Sequence, residues 1–255
     1  MRSNHLTPAI VLRSWPYAES DKIVSFFSEN YGKIIGIAKG AMRSRKRFVN
    51  SLEPFSLVNL SFQDRPHSSL AFVLAADLKA SFRQLITSLD RICYAAYLVE
   101  ITDGLTGERE ESPAIYQHLK NGLAYLEENG ASLRFLTFFE LKLLRLAGYQ
   151  PVFDSCRKCH KDMVDGIALR WNFSPLDGGV LCDSCARSRG ELLPLSAVAA
   201  EIMTALQADS ANLLPGLSLP SSVIKEVRAV ALRFVQYHVD REIKSAIFLT
   251  QFSSR

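Results

Sequence analysis

The sequence predicts an α+β, multidomain protein in which an N-terminal five-stranded OB-fold barrel precedes an all-α domain with an inserted four-cysteine module. Five short segments rich in β-branched and aromatic residues occupy the first 80 positions. From about Phe82 the apolar residues recur at three- and four-residue spacing, which is the period of an amphipathic helix. Two C-x-x-C pairs interrupt this helical part.

The barrel is predicted from the spacing of the five segments. Turn-forming residues separate them, and in the fourth segment Val58, Leu60 and Phe62 alternate with polar residues, as in a half-buried strand. Five strands this short favour a small barrel, most often an OB-fold, although the pattern also allows an SH3-like barrel. The predicted strands are 9–15, 22–28, 33–39, 56–62 and 69–75.

Five helices are predicted from apolar periodicity and from residues suited to helix ends. Ser112, which precedes a proline, is a suitable N-cap, and Gly130 is a suitable terminator of the same helix. Ser196 is the predicted cap of the fourth helix, and Ser221 or Ser222 that of the fifth. The predicted helices begin near residues 82, 113, 133, 197 and 222, and the last runs towards 243.

These elements predict three domains. Residues 1–80 form the barrel, residues 81–152 and 194–255 form the helical domain, and residues 153–193 form the inserted module. The net charge is +4, but residues 1–80 hold 11 Lys and Arg against 6 Asp and Glu, whereas residues 81–255 hold 19 against 20. An anionic partner is therefore expected to bind the barrel first.

The inserted module is predicted to bind zinc. Two pairs of thiolates, each two residues apart, can occupy the four corners of a tetrahedron. Four sulfurs leave no open position for water, so the predicted ion is structural, although His160 could replace one ligand. The alternative is two unrelated pairs of free or redox-active thiols, and Cys93 is expected in a helical core. The predicted ligands are Cys156, Cys159, Cys182 and Cys185.

The sequence contains none of several common catalytic motifs. It has no G-x-x-x-x-G-K-[ST], H-E-x-x-H or G-x-S-x-G motif, and its five histidines are scattered. No catalytic residue is predicted, although the pattern leaves a metal-dependent nuclease open. There is no apolar run long enough to span a bilayer, and the apolar core of the N-terminal segment is too short for a signal peptide. A cytoplasmic protein is therefore expected.

Two separate parts of the chain resemble the RecO family of bacterial DNA repair proteins. The first is the N-terminal run with AIVL, ESDKIVSFF, GKIIGIAKGAMR and LEPF. The second is CRKC followed by GGVLCDSC, the signature of the zinc-containing members. The resemblance covers essentially the whole chain, and one departure from it is His160, where the family often has glycine.

The resemblance implies an N-terminal OB-fold and a helical C-terminal domain with one structural zinc ion. It also implies a non-enzymatic function, in which the protein binds single- and double-stranded DNA and anneals complementary strands. The implied partners are RecR and single-stranded DNA-binding protein (SSB), with which RecO-like proteins load RecA onto gapped DNA. Such a protein is expected in the bacterial cytoplasm, at the nucleoid during repair. The alternatives are a zinc-stabilised protein adaptor without DNA contact and, in third place, a metal-dependent nuclease.

The DNA-binding residues are predicted around the basic run KGAMRSRKRF, which follows the third strand. OB-folds bind single strands through a positive groove and aromatic stacking platforms. This run is expected to form a mobile basic rim on the barrel, which becomes ordered mainly when phosphate binds. The alternative is a solvated loop with no binding role. The predicted cations are Lys33, Lys39, Arg43, Arg45, Lys46 and Arg47. The predicted stacking residues are Trp15, Tyr17 and Phe48.

Overall fold

The structure is a computed structural model that describes residues 3–162, 170–187, 189–207 and 220–252. The chain forms two compact units. The first contains the residues up to Gly130 together with a final segment that starts at Lys244, and the second is Ala131–Ile243. The units group the helices differently from the predicted domains, because three helices belong with the barrel.

The first unit is built on a closed five-stranded barrel. Its strands are β1 (Asn4–Tyr17), β2 (Asp21–Ser28), β3 (Gly32–Ala38), β4 (Leu57–Gln63) and β5 (Ala71–Ala80). Their order around the barrel is β1-β2-β3-β5-β4, with only the β3–β5 pair parallel. This five-stranded Greek-key order confirms the predicted OB-fold and decides against the SH3-like alternative.

One long strand, β1, closes the barrel. Its first half pairs with β4 and its second half with β2, and the register shifts between Val11 and Arg13. The alternation predicted for β4 is confirmed, since Val58, Leu60 and Phe62 are all fully buried in the barrel core. Because buried residues alternate with less buried ones along β4, one face of the strand lies in the barrel interior and the other lies on the outside.

The helices of the first unit are α1 (Leu89–Leu105), α2 (Pro113–Asn129) and α7 (Lys244–Phe252). The predicted start of α1 near Phe82 is wrong. Leu85–Thr87 instead form a 3₁₀ turn, because the Glu127 carboxylate accepts hydrogen bonds from the backbone N–H groups of Gln84 and Leu85, each at 2.9 Å. Both predicted ends of α2 are confirmed, with Ser112 as N-cap and Gly130 as C-cap.

Helix α7 was not predicted as a separate element. Its first turn is capped from α1, where the Glu100 carboxylate accepts from the backbone N–H groups of Lys244 at 3.2 Å and Ser245 at 2.8 Å. The Ser245 hydroxyl donates to the same carboxylate at 2.6 Å. A carboxylate at a helix N-terminus satisfies donors that have no partner within the helix. The cap lies 145 positions from Ser245 along the chain, so no local signal marks this helix start.

The second unit contains α3 (Leu133–Leu146), β6 (Arg170–Ser174), β7 (Gly179–Leu181), α4 (Asp183–Ala186), β8 (Leu193–Ser196), α5 (Ala197–Gln207) and α6 (Ser221–His238). The predicted hairpin is confirmed as β6 and β7, and the sheet order is β7-β6-β8. Ser196 accepts from the N–H of Ala199 at 3.2 Å, as predicted for the α5 cap. The sequence places the end of this helix near residue 208, which lies outside the described residues.

The predicted ends of α6 are wrong at both sides. Pro220 takes the N-cap position, and no side-chain cap is formed there. The helix ends at His238 because Val239 leaves the helical conformation. An ion pair between Arg228 of α6 and the fully buried Glu140 of α3 joins the two helices. Among the helices that the structure describes, none is long and apolar enough to cross a membrane.

The tight β2–β3 turn generates a prediction about Gly32. Its φ is +59°, and a Cβ there would collide with the Glu110 backbone, whose nitrogen would be 2.8 Å away. Gly130 also has a positive φ, of +80°, but a Cβ there would meet only the flexible end of Arg91 at 3.5 Å. Both Gly→Ala variants should lose about 1–2 kcal/mol of stability through left-handed strain.

Gly32→Ala should lose a further ~1–3 kcal/mol, because backbone atoms must move to relieve the collision. The measurement is the urea midpoint of the barrel unit for both variants beside the wild type. Equal losses for Gly32→Ala and Gly130→Ala would contradict the close packing of the turn against Glu110.

Candidate nucleic-acid interface and metal centre

The structure brings the four predicted cysteine ligands together. The Sγ atoms of Cys156, Cys159, Cys182 and Cys185 all lie within 4.8 Å of one another. Those of Cys159 and Cys182 are 3.7 Å apart. Four sulfurs about 2.3 Å from a shared zinc ion at tetrahedral corners would be separated by about 3.8 Å. The cluster could therefore bind a metal ion without a large rearrangement.

Against the effect of burial, the backbone around Cys156 and Cys182 lowers the pKa of both thiols and so favours their thiolate forms. The N–H of Cys182 donates to Sγ of Cys156 at 3.4 Å. Burial would raise the pKa of the Cys156 thiol, but backbone N–H groups, including those of Cys159 and Cys182, lower it to about 6. Thiolates are the form in which cysteines bind metal ions. The cluster contains four sulfurs and does not include His160.

The basic run leaves the barrel at the end of β3. Lys39, Arg43, Arg45 and Lys46 are exposed, and none of them forms an ion pair with a described residue. Arg47 is also exposed, but its guanidinium donates to the Lys39 carbonyl at 2.8 Å. Four unpaired cations in eight residues form a surface suited to phosphate.

This run is held at both of its ends. Ala41–Arg43 form a 3₁₀ turn, and the Met42 N–H donates to the carbonyl of Ser20 in the β1–β2 loop at 2.9 Å. At the other end, the carbonyl of Arg47 accepts from the N–H of Ala76 in β5 at 3.0 Å. The basic run is therefore attached to the barrel at two points, and the residues between Met42 and Arg47 span them.

Lys33 is separated from the other predicted cations. It lies near the start of β3, the strand that Lys39 directly follows, but its side chain is only 12% exposed and its Nζ is 3.2 Å from Asp103 of α1. Nζ also donates to the Asp103 carbonyl at 2.7 Å. Because its charge is already satisfied inside the first unit, we leave Lys33 out of the candidate interface.

The three predicted stacking residues have different environments. Trp15 and Tyr17, at the end of β1, are 40% and 50% exposed. Phe48 is 5% exposed and belongs to the barrel core, with the Arg47 guanidinium 4.9 Å from its ring centroid. Trp15 and Tyr17 are therefore available to bases, and Phe48 instead anchors the basic run to the core.

Three residues of the surface beside Lys39 were missed by the sequence analysis. Gln63, Arg65 and Phe72 line a cavity of about 250 Å³ together with Lys39. Arg65 lies in the β4–β5 loop, which is one of the two loops that bind ligands in OB-folds. Its position after the fourth predicted strand was the signal that could have identified it.

Comparison with known proteins places both parts of the chain in one family. The family model described as "Recombination protein O N terminal" matches residues 1–82, and "Recombination protein O C terminal" matches residues 86–247. The chain belongs to the recombination protein O (RecO) family. The barrel and basic run fall in the N-terminal match, and the four cysteines fall in the C-terminal match.

Curated RecO proteins from several bacteria are similar to this chain over most of its length. A DNA repair protein RecO from Syntrophus aciditrophicus is 31% identical, with 96% of this chain and 94% of that protein covered. A RecO from an Anaeromyxobacter strain is 34% identical over 95% and 94%. A RecO from Syntrophotalea carbinolica is 33% identical over 98% and 95%. The predicted family and its role in DNA repair are thereby confirmed.

The departure from the RecO pattern at His160 has a backbone explanation. Its φ is +59°, in the left-handed region that favours glycine. Its N–H donates to the carbonyl of Cys156 at 2.8 Å, which closes the turn around the first cysteine pair. Glycine is the residue that takes this conformation without strain, and histidine is among the more tolerant alternatives.

The environments of Phe48 and Trp15 predict opposite effects of truncation. Phe48→Ala should lower the stability of the barrel unit by ~3–5 kcal/mol, because it removes a buried ring. Trp15→Ala, at an exposed position, should change the stability by less than about 1 kcal/mol. Urea denaturation of both variants measures the difference. A small loss for Phe48→Ala would return this ring to the candidate stacking surface.

Proposed function

We propose that this RecO-family protein is a non-enzymatic recombination mediator whose barrel binds single- and double-stranded DNA and anneals complementary strands. The observation that carries the proposal is the row of unpaired cations at Lys39, Arg43, Arg45 and Lys46 on the rim of an OB-fold. Arg47, Trp15 and Tyr17 complete the proposed surface. Arginine suits it because a guanidinium can bind two phosphate oxygens at once.

Charge on the rim explains both binding and annealing. Cations that pair with phosphates release counterions, so four such contacts give a log–log salt slope of about −3 for single strands. The same neutralisation lowers the repulsion between two strands, and base edges that remain accessible can then pair. No covalent bond is made or broken in annealing, so the proposed function needs no catalytic residue.

The proposed partners follow from family membership. With RecR, the protein would help to load RecA onto single-stranded DNA that is coated with SSB. The rim contacts only phosphates in this scheme, so it would act on any sequence, as a mediator of gap repair must.

We propose that the metal held by the four cysteines is a single structural zinc ion. Zinc accepts four sulfurs in tetrahedral geometry, and a closed set of four protein ligands leaves no site for a reacting water. Cys156, Cys159, Cys182 and Cys185 would hold it, and it would join the turn before β6 to the segment after β7. The ion would contribute stability by fixing the two cysteine pairs to each other.

An apolar groove supports the adaptor as a second candidate function. A cavity of about 490 Å³ in the first unit is lined by α1, α7 and β1, with Ile92, Ala96 and Phe248 among its residues. Phe248 is 52% exposed beside it. A protein that acted only through this groove would bind partners without DNA, and its affinity for single strands would be negligible at every salt concentration.

The proposal predicts a loss of DNA binding when the rim is neutralised. Replacement of Arg43, Arg45 and Lys46 by Ala should weaken single-strand binding on the order of tenfold and reduce the salt slope by about 2, because three phosphate contacts are lost. Annealing of bare and SSB-coated strands should slow in parallel. Fluorescence anisotropy over a salt series and a strand-annealing assay measure the two effects.

A matched variant that replaces the exposed Lys79, Arg83 and Lys225 removes the same charge elsewhere and should behave as the wild type. Unchanged annealing by the rim variant would show that the interface is misplaced. Strands shortened during incubation with magnesium or manganese would favour the nuclease alternative.

The zinc proposal predicts about one zinc ion per chain in the purified protein. Cys159→Ser and Cys182→Ser should each reduce the zinc content and lower the melting temperature of the second unit, because a ligand is lost. His160→Gly should retain the metal, since it leaves all four sulfurs in place. Elemental analysis and thermal denaturation provide the measurements, and a folded metal-free wild type would contradict the proposal.

A further inference from the structure

A row of outward-facing side chains crosses four strands of the barrel. In the strand registers, Trp15 of β1 lies opposite Ile23 of β2, and Ile23 lies opposite Ile37 of β3. Ile37 lies opposite Phe72 of β5. Residues that face each other across neighbouring strands share one face of a sheet. Their sequence neighbours Val24, Ala38, Ala71 and Val73 are in the barrel core, so the row points away from that core, and within it Ile37 is only 5% exposed.

The cavity of about 250 Å³ lies at the Phe72 end of this row. Lys39, at the end of β3, and Arg65, in the β4–β5 loop, line it from two different elements. Gln63, opposite Phe72 in the β4–β5 register, lines it as well. An aromatic ring, an amide and two cations therefore surround one cavity.

The two cations are available to a ligand. Lys39 and Arg65 are both exposed, and neither forms an ion pair within the described part of the chain. The neighbouring acid, Asp64, is already paired with Arg109 and lies 3.6 Å from Nε2 of His5. The loop thus presents a net positive charge to the cavity, with its carboxylate partly neutralised.

The chemistry of this cavity matches one nucleotide of a single strand. Lys39 and Arg65 can share a phosphate, since charged donors from two sides suit its several oxygens. The ring of Phe72 offers a face on which a base can stack. At about 250 Å³ the cavity is below the ~300–1,000 Å³ of typical small-molecule pockets, which suits one group of a longer chain.

We infer that Lys39, Arg65 and Phe72 form a subsite for one unpaired nucleotide, which distinguishes single-stranded DNA from duplex. The inference rests on the proposed function and adds the form of DNA that the site selects. Bases in a duplex are stacked on their own neighbours, so a paired base has no free face for Phe72. The phosphate contacts of the basic rim and of Arg65 act on both forms, whereas the stacking contact with Phe72 acts on the single strand alone.

The subsite also favours release of the annealed product over release of the single strand. An unpaired base on Phe72 adds to the affinity of the barrel for a single strand. When the complementary strand pairs with that base, the base joins the duplex stack and the contact with Phe72 is lost. The annealed product is then held only by phosphate contacts, and the barrel is free for another single strand.

The test compares three probes of one length: oligothymidylate, an abasic oligonucleotide with the same backbone, and a duplex. The wild type should bind oligothymidylate more tightly than the abasic strand. Phe72→Leu keeps apolar bulk but removes the ring, so it should weaken oligothymidylate binding by about 5- to 150-fold while binding of the other two probes stays the same. Arg65→Ala should weaken all three and reduce the single-strand salt slope by about 0.7.

Two matched controls accompany these variants. Tyr125→Leu removes a partly exposed ring on α2, and Arg83→Ala removes an exposed cation outside the cavity, so both should bind as the wild type does. If Phe72→Leu fails to fold, photo-crosslinking of iododeoxyuridine strands to the wild type replaces it. The crosslink should then map to Phe72, and a map that omits residues 63–72 overturns the subsite.

The outcomes separate the subsite from the proposed function. Wild-type binding with equal affinity for oligothymidylate and the abasic strand overturns the subsite and leaves the DNA-binding function standing. The subsite is also overturned if Phe72→Leu weakens binding of all three probes equally, or weakens none of them. The DNA-binding function stands in both cases. Failure of the wild type to bind any of the probes overturns the proposed function together with the subsite.

Discussion

Closure of the barrel by β1 is the constraint on which the first unit depends. This strand of 14 residues pairs with β4 through its first half and with β2 through its second half, and the β1–β2 register shifts between Val11 and Arg13. The closed interior is filled with side chains, as expected for a five-stranded barrel. Everything that contacts another molecule must therefore lie on the outer face or in the loops.

Helix α1 contacts one part of the outer face of the barrel. Asp103 lies 3.3 Å from Arg13 of β1 and 3.2 Å from Lys33 of β3, so both basic side chains are held at the end of the barrel that the helix covers. Trp15, two residues beyond Arg13 on β1, and Lys39, directly after β3, stay exposed. Lys33 and Lys39, six residues apart, thus differ in exposure, because only Lys33 is paired with Asp103 of α1.

The features that the sequence predicted depend on local patterns. The strands follow from alternation, the ends of α2 follow from Ser112 and Gly130, and the metal ligands follow from the C-x-x-C spacing. The four cysteines come together because the hairpin between the two pairs, formed by β6 and β7, is itself a local structure.

The features that the sequence did not predict depend on distant contacts. Phe48 lies at the end of the basic run, so the sequence suggests an exposed position. Only the closed barrel shows that its ring is buried in the core. Lys33 resembles Lys39 until α1 is placed beside it, and the start of α1 itself depends on Glu127. Arg65 and Phe72 are more than 20 positions from Lys39, and the parallel β3–β5 pair brings them to it. The hydrophobic periodicity of a single segment does not reveal such contacts between distant residues.

The capping of α7 by Glu100 has a consequence for the order in which the protein matures during synthesis. Chains are made from the N-terminus at about 5–20 residues per second, and domains generally fold in that order. Here the first unit includes a helix that is translated after the whole of the second unit. The barrel can close early, but the apolar side of α1 must wait for α7 while residues 131–243 emerge. The unit that begins first is therefore completed last, and its unfinished surface is where a nascent chain of this protein would need protection.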